Sequence, residues 1–242
     1  MENWELMNTV KTNDGSLTLK SEKFNECYHS SEGALKETLY KHVFPAFEVV
    51  NGDNIKILDI CFGLGYNTFA SIIYGKYKKI EIYSPEFDEE LIKSLKNFKY
   101  PNEFERINHI INEVSNNLYY EDEKIKIKIF NGDAREYIKT FEDNFFDIVY
   151  QDAFSPKVNK ELWTIEYFKE IKRIMKNSAV LTTYSVATPV RCALYTLGFN
   201  LYTHTSDDIR KGTIATFLHL NNFDIVDMKE KLKRVKCYYL ED

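Results

Sequence analysis

The stretch Ile57-Leu58-Asp59-Ile60-Cys61-Phe62-Gly63-Leu64-Gly65-Tyr66-Asn67-Thr68 decides how this chain is read. Residues 57–60 form an apolar strand end, and the residues after Gly65 open a helix carrying Phe69, Ala70 and Ile72. Glycines suit such a turn because a ligand approaches the backbone where a Cβ would collide, and because positive φ is costly for other residues. The nucleoside-turn pattern acidic-x-Gly-x-Gly-x-Gly is present with Cys61 in place of its first glycine. Taken alone, this turn is compatible with a dinucleotide, a methyl donor or no ligand.

Working outward, a second β-rich run, Lys79-Ile-Glu-Ile-Tyr-Ser84, ends at Pro85-Glu86. Glu86 stands 23 residues beyond Gly63, where an acidic residue accepts hydrogen bonds from both ribose hydroxyls. A third run ends in Asn131-Gly132-Asp133-Ala134. There the Asp133 carboxylate either accepts the adenine amino group or caps the helix that follows. Asp59, Glu86 and Asp133, at or near the C-terminal ends of successive parallel strands, describe one crevice. The dehydrogenase fingerprint Gly-x-Gly-x-x-Gly is missing, since Ala70 or Ser71 would have to serve as its distal small residue. S-adenosyl-L-methionine carries no phosphate and needs no phosphate cradle. The expected cofactor is therefore S-adenosyl-L-methionine, and the expected fold is α/β, a class I S-adenosylmethionine-dependent methyltransferase.

From Ile55 onward, short β-rich runs alternate with helical stretches, as in a parallel sheet with helices on both faces. Strands are expected at 56–60, 79–84, 124–130, 146–151, 179–184, 199–204 and 213–220, giving a Rossmann-like seven-stranded sheet with the last strand antiparallel. In Ile125-Lys-Ile-Lys-Ile129 the strict alternation suits an edge strand with one wet face. The first fifty residues read as an appendage. Thr12-Asn-Asp-Gly15 predicts a β-hairpin over 5–24, and Ser30 or Ser31 is expected to cap a helix through Ala34, Leu35, Leu39, His42 and Val43 that stops at Pro45. The expected division is appendage 1–50, methyltransferase domain 51–220 and basic extension 221–242. Lys229, Lys231, Lys233, Arg234 and Lys236 make that extension a solvated helix or an RNA contact.

Of the 242 residues, 44% are apolar and 15% aromatic, ample core for one large α/β domain. No apolar run approaches the ~20 residues of a membrane span. The N-terminus, Met1-Glu-Asn-Trp-Glu-Leu6, lacks the basic and apolar regions of a secretory signal, so a cytoplasmic location is expected. Cys27, Cys61, Cys192 and Cys237 are scattered with no Cys-x-x-Cys pair, which favours neither a disulfide framework nor a metal site. A net charge of -5 argues against a nucleic-acid packaging protein.

A fourth buried strand, Phe146-Asp-Ile-Val-Tyr150, delivers Gln151-Asp152-Ala153-Phe154-Ser155-Pro156 to the same edge of the sheet. This Asp-x-Phe-x-Pro loop resembles the Asp/Asn-Pro-Pro-aromatic loop of methyltransferases that act on amino nitrogens. A primary alkyl amine is mostly protonated at neutral pH, so its site must desolvate it or take its proton. Asp152 is placed to accept a hydrogen bond from the amine, and Phe154 to cover the plane of a base or the sulfonium. The competing role for Asp152 is to cap its own loop and the next helix.

Asp152-Ala-Phe-Ser-Pro-Lys-Val-Asn159-Lys-Glu-Leu-Trp163-Thr164 resembles the Asp-Gly-Phe-Ala-Pro…Asn-Pro…Met-Trp-Thr segment of the MnmC-type tRNA-modification methyltransferases. Phe62-Gly-Leu-Gly-Tyr-Asn67 is similar to that family's Phe-Gly-x-Gly-x-Asn. Tyr28-His29-Ser30…Gly33-Ala34…Glu37…Val43-Phe44 looks like its stand-alone branch, and Arg210-Lys211 matches a basic pair before the final strand. The resemblance covers about residues 24–220. It implies that Phe62, Gly63, Gly65, Asn67, Glu86, Asp133 and Ala134 line the cofactor site, that Tyr28, His29 and Glu37 fold over it, and that Asp152 lies beside the target amine. Asn159, Trp163, Lys157, Arg210 and Lys211 become expected tRNA contacts, with Lys160 and Arg191 as further RNA-facing cations. The implied reaction is N-methylation of 5-aminomethyl-(2-thio)uridine at the tRNA wobble position. Two-domain members add an FAD-dependent oxidoreductase domain, for which a chain ending at Asp242 has no room, so the aminomethyl-uridine is expected by another route. Two other functions are weighed. One is a spermidine synthase-like aminopropyltransferase, whose Asp-Ser-x-Asp-Pro loop has its second Asp replaced here by Ser155; the other is a non-catalytic S-adenosylmethionine- or RNA-binding protein.

Overall fold

The computed structural model describes residues 8–204 and 209–242. At its centre β3 (Asn54–Ile60) lies between β4 (Lys79–Glu86) and β7 (Phe146–Gln151), parallel to both. Ile55 and Ile57 of β3 enter the core on one face of the sheet, while Leu58 and Ile60 enter the core on the other. A strand buried on both faces reads as a nearly continuous apolar run, and this one does. β6 (Ile125–Asn131) pairs parallel outside β4, and β8 (Met175–Thr183) pairs parallel outside β7. β10 (Thr213–Thr216) then inserts antiparallel between β8 and β9 (Asn200–Thr203). These seven strands make the expected sheet, with its last strand antiparallel.

Two short strands extend it to nine. β5 (Tyr119–Glu121) pairs antiparallel with β6, and β11 (Asp224–Ile225) with β9. The run expected to form the edge is therefore covered: Ile127 and Ile129 are buried, and the Lys residues of β6 pair across to β5. The strand expected over 213–220 stops at Thr216.

In the appendage, β1 (Thr9–Lys11) and β2 (Leu17–Leu19) form the expected hairpin; residues 5–7 of that expectation lie outside the described residues. Its turn has a second job. Ser16 Oγ accepts from the Ala34 and Leu35 N–H groups, and Asp14 Oδ2 accepts from Lys36 N–H. The N-terminus of α1 (Ala34–Glu37) is thus capped by the hairpin, correcting the expectation of Ser30 or Ser31. The helix also runs on past Pro45. A π-helical segment, Thr38–Val43, leads into α2 (Phe44–Val49), and Pro45, which has no N–H to give the preceding turn, stands where the two meet.

The remaining helices are α3 (Tyr66–Tyr74), α4 (Glu89–Ser94), α5 (Asn108–Asn117), α6 (Ala134–Ile138), α7 (Ile165–Ile174), α8 (Thr188–Thr196) and α9 (Met228–Leu232). α3 and α5 cover one face of the sheet and α7 and α8 the other. The extension returns to the core: Met228 is buried, Ile165 N–H donates to Leu240 O, and Asp242 pairs with Arg135 and accepts from Thr164. Among the described residues no helix is long and apolar enough to cross a membrane.

Candidate active site

A cleft of about 920 Å³ opens where β3, β4, β6 and β7 end, roofed by residues 21–31 of the appendage. It receives Tyr28, His29, Glu37, Gly63, Glu86, Asp133, Ala134, Asp152, Phe154 and Asn159 from the expected set. Lys23 is the only Lys or Arg among the described lining residues, so the cleft is electronegative and suits a cationic ligand.

The glycine turn forms as its sequence requires. Cys61, Gly63 and Gly65 have φ of 65°, 52° and 71°, so the cysteine adopts the left-handed backbone of the glycine it replaces. A Cβ on Gly63 would lie 3.0 Å from the Tyr28 ring, so the appendage packs directly on the turn. Gly65 faces inward instead, where a Cβ would strike Phe69 and Phe62. Burial, with the nearby Glu86 charge, raises the Cys61 thiol well above its usual range, leaving an unreactive thiol.

Glu86, at the tip of β4, is held by backbone. Its Oε2 accepts from Gly63 N–H at 2.8 Å, and its Oε1 from Phe87 and Asp88 N–H at 2.8 and 3.0 Å. Burial raises its pKa, and those three hydrogen bonds oppose the rise. Asp133 caps α6: its Oδ1 accepts from the Arg135 and Glu136 N–H groups while the residue lines the cleft. Both roles weighed for it are geometrically compatible.

At the other end, Asp152 leaves β7 beneath Tyr28 and Phe154. Its Oδ2 accepts from Asn67 Nδ2 at 2.8 Å, and its Oδ1 lies 3.4 Å from His42 Nε2. Burial pushes this carboxyl up, but His42 and the Asn67 hydrogen bond outweigh it, and the pKa falls below the usual range. Phe154 packs between Phe24 and Tyr28, with ring centroids 4.6 and 4.9 Å away. His29 is buried against Tyr66 with Nδ1 3.1 Å from Thr18 Oγ1; burial lowers its pKa, favouring neutral imidazole. Glu37 accepts from Ser30 N–H and pairs with the buried Lys41.

Several expected contacts lie elsewhere. Asp59 is behind the cleft, 1% exposed, accepting from Thr68 Oγ1 at 2.7 Å and Asn67 Nδ2 at 3.4 Å. Asn67 acts on Asp152 from that buried position, and Phe62 packs edge-on against Phe69 in the core. Trp163 is fully buried, and its Nε1–H donates to Phe154 O at 2.8 Å, so it fixes the loop from below and offers no surface to RNA. Arg191 binds Thr213 and Gly212, tying α8 to the sheet. Lys157, Lys160 and Lys211 are exposed away from the lining set, and Arg210 pairs with Glu32.

Sequence reasoning missed Glu26, His42 and Tyr184. Glu26 accepts from Ser155 N–H and Oγ at 3.2 and 2.6 Å, latching the appendage to the loop after β7. Tyr184 donates to Ala153 O at 3.0 Å. His42 and Tyr184 lay within predicted elements, a helix and a strand, and were indistinguishable there from packing residues.

Residues 99–217 match the family described as S-adenosyl-L-methionine-dependent methyltransferase. The crystal structure of MnmC2 from Aquifex aeolicus superposes with a TM-score of 0.78 at 33% identity, over 94% of this chain and 74% of that one. The chain belongs to this methyltransferase family. An uncharacterized protein of Methanocaldococcus jannaschii is 35% identical over 216 residues, 88% of this chain and 60% of that protein. The tRNA 5-methylaminomethyl-2-thiouridine biosynthesis bifunctional protein MnmC of Leptospira interrogans is 30% identical over 207 residues, 77% of this methyltransferase and 31% of that protein. The chain thus spans less than two thirds of these two curated relatives. The family's methyl donor, S-adenosyl-L-methionine, fits what is seen here: an electronegative cleft for a sulfonium, a glycine turn at positive φ beside it, and a carboxylate fixed by backbone at the tip of β4.

Proposed function

We propose that this methyltransferase acts on a primary amine, the aminomethyl group of 5-aminomethyl-(2-thio)uridine at the tRNA wobble position, giving the 5-methylaminomethyl product. The observation that carries the reading is Asp152, an ionised carboxylate held at the acceptor end of the cleft under an aromatic lid. S-adenosyl-L-methionine supplies a methyl group on a sulfonium when bound. Gly63, Tyr28 and Glu86 hold its nucleoside, with Asp133 and Ala134 at the adenine end. Asp152 holds the arriving ammonium as its counter-ion and, once a proton has left to solvent, accepts a hydrogen bond from the neutral amine and aims the nitrogen lone pair in line. The aromatic cluster of Phe154, Phe24 and Tyr28 covers the acceptor and keeps water from the amine. The likeness to the Leptospira MnmC, whose name specifies this tRNA product, supports the choice of substrate.

The test is to incubate the protein with labelled S-adenosylmethionine and tRNA from a strain that accumulates aminomethyl-uridine, then digest and identify nucleosides. Methylaminomethyl-uridine is the expected product, and its absence with cofactor binding intact would overturn the substrate. Asp152→Ala is expected to abolish transfer while cofactor affinity stays within roughly tenfold, about 1.4 kcal/mol.

A further inference from the structure

His42 is wholly buried on the π-helical segment Thr38–Val43, and its ring reaches under the acceptor end of the cleft. Its Nδ1 lies 3.1 Å from Thr182 Oγ1 on β8, and the edge of Tyr150 packs against the ring at 5.8 Å. Its Nε2 has no hydrogen-bond partner among the described residues and stands 3.4 Å from Asp152 Oδ1. A buried polar atom left without a partner is costly, and catalytic hydrogen bonds are often long before ligands close around them. The local backbone carries the same signature. π-turns inside α-helices are rare and concentrate at functional sites, and His42, which faces Asp152, stands on one.

We propose that His42 is a positioning residue for amine transfer: it holds Oδ1 of Asp152 while Asn67 holds Oδ2, so the carboxylate keeps one orientation as the acceptor arrives. This rests on the amine-methylating reading. Thr182 fixes the ring from behind, leaving Nε2 aimed at the carboxylate. Asn67 is itself fixed, because its amide donates to both Asp59 and Asp152, which also settles which way the amide points. With its two oxygens held from two elements, Asp152 cannot turn about its terminal torsion, and each oxygen retains a lone pair for the ammonium. Asp152 alone of this group lines the cleft; His42, Thr182 and Asn67 stand behind it.

The experiment compares two variants of the full chain on aminomethyl-uridine tRNA. In His42→Gln the side-chain amide nitrogen falls near the position of Nε2, whereas in His42→Asn it falls near Nδ1. His42→Asn is expected to lower kcat about a hundredfold, the loss typical of a misplaced reacting group. His42→Gln is expected to lose less than tenfold, and in both variants the dissociation constant for S-adenosylmethionine stays within about threefold of the wild type. Equal losses in the two variants, or cofactor affinity weakening in step with kcat, would show a packing role and overturn the proposal. If the wild type itself fails to methylate this tRNA, the substrate reading falls separately. The pair is then read by NMR of 15N-histidine-labelled protein: a His42 Nε2–H resonance that moves in Asp152→Asn supports it, and an unmoved one refutes it.

Discussion

The end of the cleft proposed to take the ribose holds its carboxylate, Glu86, with backbone, and the end proposed to take the acceptor holds its carboxylate, Asp152, with side chains. Glu86 is fixed by three N–H groups that only proline could remove, all within the turn and strand tip that define the fold. Asp152 depends on Asn67, 85 residues earlier in the chain, and faces His42 from the appendage. Orientation at the ribose end thus comes with the fold, whereas at the acceptor end it is assembled from separate elements and is open to single mutations.

The largest test of this contrast concerns Asp59, which anchors Asn67 from behind. Burial pushes its carboxyl up to about 7 against the hydrogen bond from Thr68. An acid whose folded pKa exceeds its unfolded value keeps its proton in the folded state. The protein is therefore expected to lose stability as pH rises from about 4 to about 7, by up to ~4 kcal/mol on account of this group, and to level off above. Urea unfolding of wild type and Asp59→Asn at pH 5 and pH 8 reads the effect. A variant that keeps the full wild-type slope would show that Asp59 is ionised and held by its partners.

A smaller effect is expected at the ribose end. Glu86→Ala removes the carboxylate proposed to bind both ribose hydroxyls, and S-adenosylmethionine affinity is expected to fall about a hundredfold, ~2.7 kcal/mol, by calorimetry. Phe87→Ala or Asp88→Ala leaves the N–H groups on Glu86 in place, so Glu86 should keep its orientation. If either variant matched the loss of Glu86→Ala, the contrast between the two ends would fail.

The same contrast explains what the sequence made legible. Gly63, Glu86 and Asp133 could be found because each stands in a short motif at a strand end, and the parallel order brings strand ends together. Asp152 and Phe154 were found for the same reason. Glu26 and His42 were not, because their partners lie across the appendage, and nothing in a Glu or His within a polar or helical run marks what it will face. Trp163 shows the converse. Its segment is recognisable, but a residue conspicuous in a motif belongs as readily to the loop's foundation as to its surface.

Cys61 is where local pattern and tertiary demand differ most. The position takes φ of 65°, which costs an L-residue about 1–2 kcal/mol relative to glycine. Cys61→Gly relieves that strain but loses a small half-buried side chain and adds unfolded-state entropy of about 0.5–1 kcal/mol. These terms oppose, so its stability is expected within about 1 kcal/mol of wild type. Cys61→Val keeps apolar volume, yet places a β-branched residue in the left-handed region, and is expected to destabilise by about 2 kcal/mol. For an ordinary core position the order is reversed, with truncation to glycine the more damaging change. Denaturant midpoints for the two variants decide it: a valine more stable than the glycine would mean that the turn relaxes to negative φ and that the cysteine bears no strain.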